Sequence, residues 1–386
     1  MSDNNTRQIT IIGLGLIGGS LGLALKAAGL HGIEIVGHDR DRGAESEAKK
    51  LGAIDKGEHN LLRAVDGASL VIIATPVLAV REVMEQIAGD LGEGAIVTDT
   101  ASTKAEVMRW ADEILPKGVH FIGGHPMAGK ETSGISAAEA TLFRGKAYCI
   151  CPSVRASESA VKTVMGLANS AGAEPLFIDP AEHDQYAAAI SHLPIVMSTA
   201  LFSLMHASPS WDDMAQLASS GFRDATRLAS SDASMSHDIL RTNREAIIHW
   251  LERMEGELTR FRKLLEDAND AALLEAFARA QLERDAFVLS PPKRAAATAS
   301  SGASDSKGVL VDMLVGGMIG EKLRRIERDT KATEDRVAGR PVEREEPEKP
   351  KKPGLGDRIA EGVRRDLEKL EAERAKKARE APKSEE

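Results

Sequence analysis

One histidine in this sequence is placed where a proton acceptor would be useful. His125 lies in the run Gly124-His125-Pro126, directly after a predicted strand, His120–Gly123. Imidazole is the side chain that accepts a proton near neutral pH. The chain has ten histidines, and most histidines are structural or lie at a surface. Position alone therefore leaves two interpretations of His125 open, a catalytic base and a residue that stiffens a loop.

A glycine-rich turn near the start of the chain predicts a dinucleotide site. The apolar strand Ile9–Ile12 runs into Gly13-x-Gly15-x-x-Gly18, and an apolar helix follows. Such glycines allow a tight turn, the approach of a pyrophosphate and close packing of the helix, whose N-terminus attracts phosphate. Asp39, 21 positions after Gly18, is suited to the ribose hydroxyls. The expected cofactor contacts are Gly13, Gly15, Leu16, Ile17, Gly18, Asp39, Arg40, Thr75 and Pro76. An ordinary strand–helix turn without a ligand is the alternative.

The elements around these residues alternate between strand and helix. Apolar runs such as Leu70–Ala74 predict strands that are covered on both faces, and helical patterns separate them. The fold class is therefore α/β, a Rossmann-like, doubly wound and mostly parallel sheet over residues 1–180. Residues 181–289 show only helical periodicity and predict a helical substrate and dimerisation domain. Residues 290–386 are low in complexity, rich in charge and predicted to be a largely disordered tail.

Composition excludes several classes of function. Aromatic residues make up 3% of the 386 residues and the net charge is −9, which argues against nucleic-acid binding. Cys149 and Cys151 have a spacing that fits neither a redox pair nor a zinc knuckle, so no metal site is expected and both should be core residues of one strand. No stretch is expected to reach the length of a membrane span, and no signal peptide is visible. We therefore expect a cytoplasmic protein without membrane contact.

Several motifs occur together in a characteristic order. They are Gly13–Ser20, Asp99-Thr-Ala-Ser-Thr-Lys104, Gly124-His-Pro-Met-Ala-Gly-Lys-Glu131, Ser191-His-Leu-Pro194, Gly221-Phe-Arg-Asp-Ala-Thr-Arg227 and Thr242-Asn-Arg-Glu245. In this order the chain resembles the prephenate/arogenate dehydrogenase family of tyrosine biosynthesis, from about Thr10 to about Leu265. The resemblance implies oxidative decarboxylation, in which nicotinamide takes a hydride, carbon dioxide leaves and the ring becomes aromatic.

The resemblance also assigns roles to residues. It implies that His125 is the catalytic base, that Ser102 orients it, and that Arg227 binds a substrate carboxylate, for which a guanidinium fork is well suited. Glu131 and Ser191 match polar residues on the substrate side. The implied cofactor is NAD, with NADP as the alternative, the substrate is a small molecule, and the protein is expected to be a homodimer through its helical domain.

Structural roles remain open for some of these residues. Ser102 or Asp99 could cap the helix that follows them, Arg227 could pair with a neighbouring aspartate, and His192 could bond a backbone carbonyl freed by Pro194.

The sequence departs from the family in two ways. Many prephenate-preferring members carry a histidine where this chain has Ile195, which leaves the choice between prephenate and arogenate open. No pattern typical of the family's regulatory ACT domain is visible. Two other functions stay open, another two-domain NAD(P)-dependent hydroxy-acid dehydrogenase and a non-catalytic nucleotide-binding scaffold.

Overall fold

The computed structural model describes residues 7–130 and 132–289 of the protein. The strands are β1 (Arg7–Ile12), β2 (Ile33–His38), β3 (Lys56–Gly57), β4 (Ala68–Ile73), β5 (Ile96–Asp99), β6 (His120–Pro126), β7 (Ala147–Pro152) and β8 (Glu174–Phe177). The helices up to the last strand are α1 (Leu16–Ala27), α2 (Arg42–Lys50), α3 (Leu61–Val65), α4 (Val77–Ile87), α5 (Ala105–Ile114) and α6 (Glu158–Ser170). The later helices are α7 (Pro180–Ala187), α8 (Leu193–His206), α9 (Trp211–Leu217), α10 (Ser220–Thr226), α11 (Ala233–Thr242), α12 (Arg244–Glu266) and α13 (Asp270–Leu289). Short 3-10 turns cover Ile135–Ala137 and Arg227–Ser230, and a π turn covers Ala188–His192.

The strands form one sheet in the order β3-β2-β1-β4-β5-β6-β7-β8. All neighbouring pairs are parallel except β6 and β7, which run antiparallel. The chain therefore winds outward in both directions from the boundary between β1 and β4, and ligands of such sheets bind at the carboxyl ends of these strands. The predicted Rossmann-like, mostly parallel sheet followed by helices is confirmed.

Apolar residues cover both faces of the sheet. On β1, Ile9 and Ile11 belong to the core beneath one layer of helices, whereas Ile12 belongs to the core beneath the other. Alternate residues of a strand point to opposite faces, so a strand with helices on both sides must be apolar throughout. Cys149 and Cys151 are both buried on β7, on one face of the strand, as predicted.

After the last strand the described chain is helical to Leu289. Asp179 begins this part, because its carboxylate accepts the backbone N–H groups of Ala181 and Glu182 at the start of α7. The break expected at Pro194 takes the form of the π turn Ala188–His192, since proline provides no N–H for the preceding turn. Helical periodicity continues through residues 237–261, yet Asn243 leaves helical geometry there and separates α11 from α12.

The run Pro180–His206 is long and apolar enough, by length and composition, to cross a membrane. The expectation that no stretch reaches this length is therefore wrong. The helical path passes Pro194 through the π turn Ala188–His192, so α7 and α8 form one continuous run. Apolar helices of soluble proteins can have the same length and hydropathy. In this chain only 22% of the apolar segment is buried, so most of it is exposed.

By the contacts between its Cα atoms, the chain divides into two compact units, whose described parts are residues 7–252 and 253–289. The first unit contains the sheet, α1 to α11 and the beginning of α12. In the second, Phe261 and Phe277 place their rings 5.8 Å apart across α12 and α13. The boundary predicted between residues 180 and 181 stays a prediction. The tail predicted for residues 290–386 lies outside the described residues.

Candidate active site

The glycine loop between β1 and α1 has the shape that its sequence predicts. Gly13 has a φ of +94°, and a Cβ atom there would lie 2.6 Å from the carbonyl oxygen of Ala74. A Cβ atom on Gly18 would lie 1.9 Å from the oxygen of Gly13. Gly15 is different, because nothing lies within 4 Å of a Cβ built on it. Gly13 and Gly18 therefore close the turn, and Gly15 leaves its backbone open to a ligand.

The N-terminus of α1 is also open. No side chain caps it, and its first turn carries no acidic residue. The free N–H groups and the partial positive charge of such a helix end favour phosphate. Leu16, Ile17 and Gly18 form this first turn.

Asp39, directly after β2, holds this loop in place. One of its carboxylate oxygens accepts the backbone N–H of Leu14 at 2.7 Å, and the other accepts that of Asp41 at 2.9 Å. A carboxylate oxygen has two lone pairs, so both can still accept a hydroxyl. Asp39 thus braces the turn in addition to the predicted contact with a ribose.

Most of the expected cofactor residues line one cleft of about 400 Å³. Those in its wall are Gly13, Gly15, Asp39, Arg40, Thr75 and Pro76. The Thr75 hydroxyl is buried there without a hydrogen-bond partner in the described part of the chain. A buried polar group without a partner is costly, and a ligand in the cleft would satisfy it. The open loop, the carboxylate and this hydroxyl together fit a dinucleotide.

His125 lies at the carboxyl end of β6 and is 9% exposed. Its Nδ1 atom is 2.8 Å from Nε2 of His183 on α7, and the two rings meet edge to face. Nδ1 of His183 is in turn 2.8 Å from a carboxylate oxygen of Asp184. The three side chains form a line that leads from the end of the sheet into the helical part.

Asp184 also caps α5. Its two carboxylate oxygens accept the backbone N–H groups of Lys104 at 2.7 Å and Ala105 at 2.9 Å. The alternative in which Ser102 or Asp99 caps this helix is therefore wrong, since the cap comes from α7, about 80 residues further along the chain. Ser102 remains available for another role.

A buried ion pair supports the backbone next to His125. Lys104 and Asp99 are both 0% exposed and are bonded to each other. The Lys104 ammonium also donates to the carbonyl oxygen of Gly124 at 2.7 Å, and Asp99 accepts the Gly124 N–H at 3.0 Å. Both backbone groups of the residue before His125 are thus held by charged side chains. We call Asp99, Lys104, His125, His183 and Asp184 the buried polar cluster.

The pKa values of two buried histidines, His125 and His192, are lowered. Burial holds the pKa of His125 well below 6.5, and a positive charge on His183, Lys104 or His192 would act in the same direction. Burial likewise lowers the pKa of His192 to about 4, although Asp184 opposes the shift. His125 is therefore neutral at physiological pH and retains a lone pair with which it can accept a proton.

The other expected site residues lie in loops and turns of the described chain. Ser102 is half-buried in the loop between β5 and α5, and Ser191 lies in the π turn before α8. Arg227 is exposed at the start of the 3-10 turn that packs against α8. The approach of Arg227 to His125 stays a prediction, and Glu131 lies outside the described residues.

Sequence reasoning missed His183, Asp184 and Asn243. The Asn243 amide donates to the backbone oxygen of Asp184 at 2.7 Å and lies 3.1 Å from Nδ1 of His192. This side-chain partner differs from the freed backbone carbonyl that was expected for His192. Asn243 stands in the motif Thr242-Asn-Arg-Glu245, which could have marked it as a site residue. His183 and Asp184 stand in none of the quoted motifs.

Comparisons with known proteins agree with this architecture. Residues 21–176 match the family model "Prephenate dehydrogenase, nucleotide-binding domain", and residues 179–279 match "Prephenate dehydrogenase, dimerization domain". The chain is 35% identical over 283 residues to a prephenate dehydrogenase of Bacillus subtilis. The aligned region covers 73% of this chain and 76% of the relative.

Two solved structures show the same fold. The crystal structure of prephenate dehydrogenase from A. aeolicus in complex with hydroxyphenyl propionate and NAD+ is 30% identical and has a TM-score of 0.69. That match covers 73% of this chain and 98% of the other. The crystal structure of Synechocystis arogenate dehydrogenase is 28% identical, with a TM-score of 0.63 and coverage of 72% and 99%.

Proposed function

This chain belongs to the prephenate dehydrogenase family, and we propose that it is an enzyme that catalyses the NAD-dependent oxidative decarboxylation of prephenate, arogenate or both. Prephenate gives 4-hydroxyphenylpyruvate, and arogenate gives tyrosine. One observation carries the proposal. A buried, neutral histidine stands at the carboxyl end of β6, in the sheet whose β1 and β4 border the dinucleotide cleft.

The reaction needs a group that takes the hydroxyl proton of the substrate ring. Bound NAD supplies the hydride acceptor. His125 accepts the hydroxyl proton while the hydride leaves the same carbon. The ring carboxylate then departs as carbon dioxide, the electron pair of its bond enters the ring, and His125 returns the proton to the ring oxygen. The low pKa of His125 keeps it unprotonated before the reaction, as a general base must be.

The cofactor residues support a preference for NAD over NADP. Asp39 would accept hydrogen bonds from the ribose hydroxyls and repel a 2′-phosphate, whereas Arg40 beside it could attract one. Asp39 is also fixed by two backbone N–H groups, so it cannot turn away without releasing the loop. We expect a higher kcat/KM with NAD, and a higher value with NADP would contradict this assignment of Asp39.

The substrate contacts are proposed from the family pattern and from chemistry. Arg227 would bind a carboxylate of the substrate with its guanidinium fork. Ser102 would orient His125, and Ser191 and Glu131 would contribute polar contacts on the substrate side. Ile195, buried near the start of α8, leaves a position apolar where many prephenate-preferring relatives have a histidine.

The protein acts on a small molecule. Its match to a dimerization domain supports a homodimer. We propose that α8 contributes to the interface, because Leu201, Phe202 and Leu204 are exposed on it although they are apolar. A second copy would cover this surface, which also gives the apolar run Pro180–His206 a role outside a membrane. A cytoplasmic location without nucleic-acid or membrane partners is part of the same proposal.

A spectrophotometric assay tests the function. NADH formation is followed with prephenate, with arogenate and with a 3-hydroxy acid as control. Turnover of either cyclohexadienyl substrate, with release of carbon dioxide, is the expected result. Turnover of only the 3-hydroxy acid would assign the chain to another class of dehydrogenase, and turnover of none would favour a nucleotide-binding scaffold.

A further inference from the structure

The side chains behind His125 determine which of its nitrogen atoms carries a hydrogen. We propose that His183 and Asp184 are positioning residues that hold His125 in the tautomer with a hydrogen on Nδ1 and a lone pair on Nε2. The inference rests on the proposed function, in which His125 is the base. It follows from three contacts and from the hydrogen-bonding capacity of each group.

The first step concerns Asp184. A carboxylate can only accept hydrogen bonds. The two oxygens of Asp184 already accept the backbone N–H groups of Lys104 and Ala105, as the oxygens of a carboxylate do. The nitrogen of His183 that lies 2.8 Å from Asp184 must therefore donate, so Nδ1 of His183 carries a hydrogen.

The second step concerns the contact between the two histidines. In a neutral imidazole one nitrogen donates and the other accepts. Because Nδ1 of His183 donates to Asp184, its Nε2 must be the acceptor. The Nδ1 atom of His125 lies 2.8 Å from this acceptor and must supply the hydrogen. The lone pair of His125 is thereby left on Nε2, the nitrogen that does not face His183.

The opposite tautomer of His125 would have a clear cost. Two lone pairs would then face each other across 2.8 Å in a buried site, and neither nitrogen would have a hydrogen bond there. The line of side chains also helps the protonated state. A positive charge that arrives on His125 is separated from the Asp184 carboxylate by the His183 ring.

A merely structural role for His183 would predict something different. Substitution of His183 would then lower stability and would reduce the rate by the same factor whether or not His125 is present. A residue that acts through His125 loses its effect on the rate when His125 is absent, because groups that act as a unit are not additive. Asp184 is less suitable for this test, since it also caps α5.

The test is a double-mutant cycle on the full-length enzyme with NAD and its cyclohexadienyl substrate. His183→Phe keeps a ring in the space but removes both hydrogen bonds. We expect kcat to fall about 10- to 10³-fold with KM within about threefold, because an orienting partner of a catalytic histidine acts mainly in the transition state. In the His125→Asn background the same change should lower kcat less than about threefold. His183→Gln, which can still accept from His125, should recover part of the loss.

The matched control is His120→Phe. His120 lies at the other end of β6, is half-buried and contacts a backbone oxygen of Arg155. It should leave kcat within about twofold of the wild type. Thermal unfolding of each variant shows whether it is folded at the assay temperature.

Two outcomes would overturn the inference while the proposed function stands. One is a His183→Phe enzyme with normal kcat, and the other is an equal loss in both backgrounds. If His125→Asn itself retains its kcat, the proposed function loses its base, which is a separate failure. Should His183→Phe not fold, ¹⁵N spectra of histidine-labelled wild-type enzyme decide, since a hydrogen on Nε2 of His125 contradicts the inference and one on Nδ1 supports it.

Discussion

The dinucleotide cleft and the buried polar cluster are built in different ways. The glycine turn of the cleft is shaped by backbone and by the absence of side chains at Gly13, Gly15 and Gly18, all within one strand–turn–helix unit. The cluster is built from charged and polar side chains of remote segments. Its contacts join residues that are 25, 58 and 80 positions apart in the chain.

The difference has an energetic side. The glycine loop positions a ligand through the shape of its backbone, and the cleft that it lines is open to solvent. The cluster places a lysine, two aspartates and two histidines out of contact with water, which is tolerated only when their charges and hydrogen bonds are satisfied. Substitutions in the cluster should therefore affect rate and stability strongly, whereas substitutions in the cleft should affect cofactor affinity.

The largest effect is expected at His125. His125→Asn removes a base that can take a proton near neutral pH and should lower kcat about 10²- to 10⁴-fold, with smaller changes in KM and NAD affinity. Because the pKa of His125 lies below 6.5 in the free protein, wild-type kcat/KM should fall only below that pH as the ring becomes protonated. Steady-state kinetics against pH show this limb, and the variant should lack it. A variant with near-normal kcat and the same limb would mean that another group is the base.

Lys104→Met should have the largest effect on stability. The change leaves the Asp99 carboxylate buried without its cation, which typically costs about 3–5 kcal/mol. Lys26→Met is the matched control, because Lys26 pairs with Asp55 near the surface and such pairs contribute at most about 1 kcal/mol. Urea denaturation measures both. Equal losses for the two variants would contradict the contrast between the buried Asp99–Lys104 pair and the surface pair Lys26–Asp55.

The same contrast explains what the sequence could predict. The apolar runs of β1 and β4, the glycines of the turn and the position of Asp39 are local patterns, and each is explained by contacts within or between neighbouring elements. His125 could be selected as a candidate because it follows a strand. Its partners could not, since nothing in the residues around His183 and Asp184 indicates that α7 packs against the start of α5.

Two elements of the helical part were beyond local reasoning for another reason. Asn243 has neighbours with good helical periodicity, yet its side chain is used by Asp184 and His192, and the helix breaks there. The π turn before Pro194 carries the helical path past a residue that typically kinks or breaks a helix. In both places a tertiary contact or a shifted hydrogen-bond pattern overrides the local preference.

Arg227→Ala tests whether Arg227 binds the substrate at the site that the buried polar cluster supports. Loss of a charge-assisted pair with a carboxylate costs about 1.5–3 kcal/mol, so KM for the cyclohexadienyl substrate should rise roughly 10- to 100-fold. Arg227→Lys should recover only part of this, because an ammonium lacks the planar fork. Arg223→Ala, an exposed arginine one helical turn earlier, is the control. An unchanged KM for Arg227→Ala would remove this residue from the site.

The smallest effect is expected in the cleft, at Gly15. Nothing lies within 4 Å of a Cβ atom built there, and its φ is −80°, so Gly15→Ala should fold normally. The added methyl group would occupy space that a pyrophosphate needs, so KM for NAD should rise about tenfold while kcat at saturation changes little. Gly89→Ala is the control, since its Cβ atom also meets nothing within 4 Å and it lies outside the cleft. Gly18→Ala should instead prevent folding, because its Cβ atom would lie 1.9 Å from the Gly13 oxygen. If Gly15→Ala left the KM for NAD unchanged, the open backbone at Gly15 would not be where the cofactor approaches, and the cleft would have to bind it by its side chains alone.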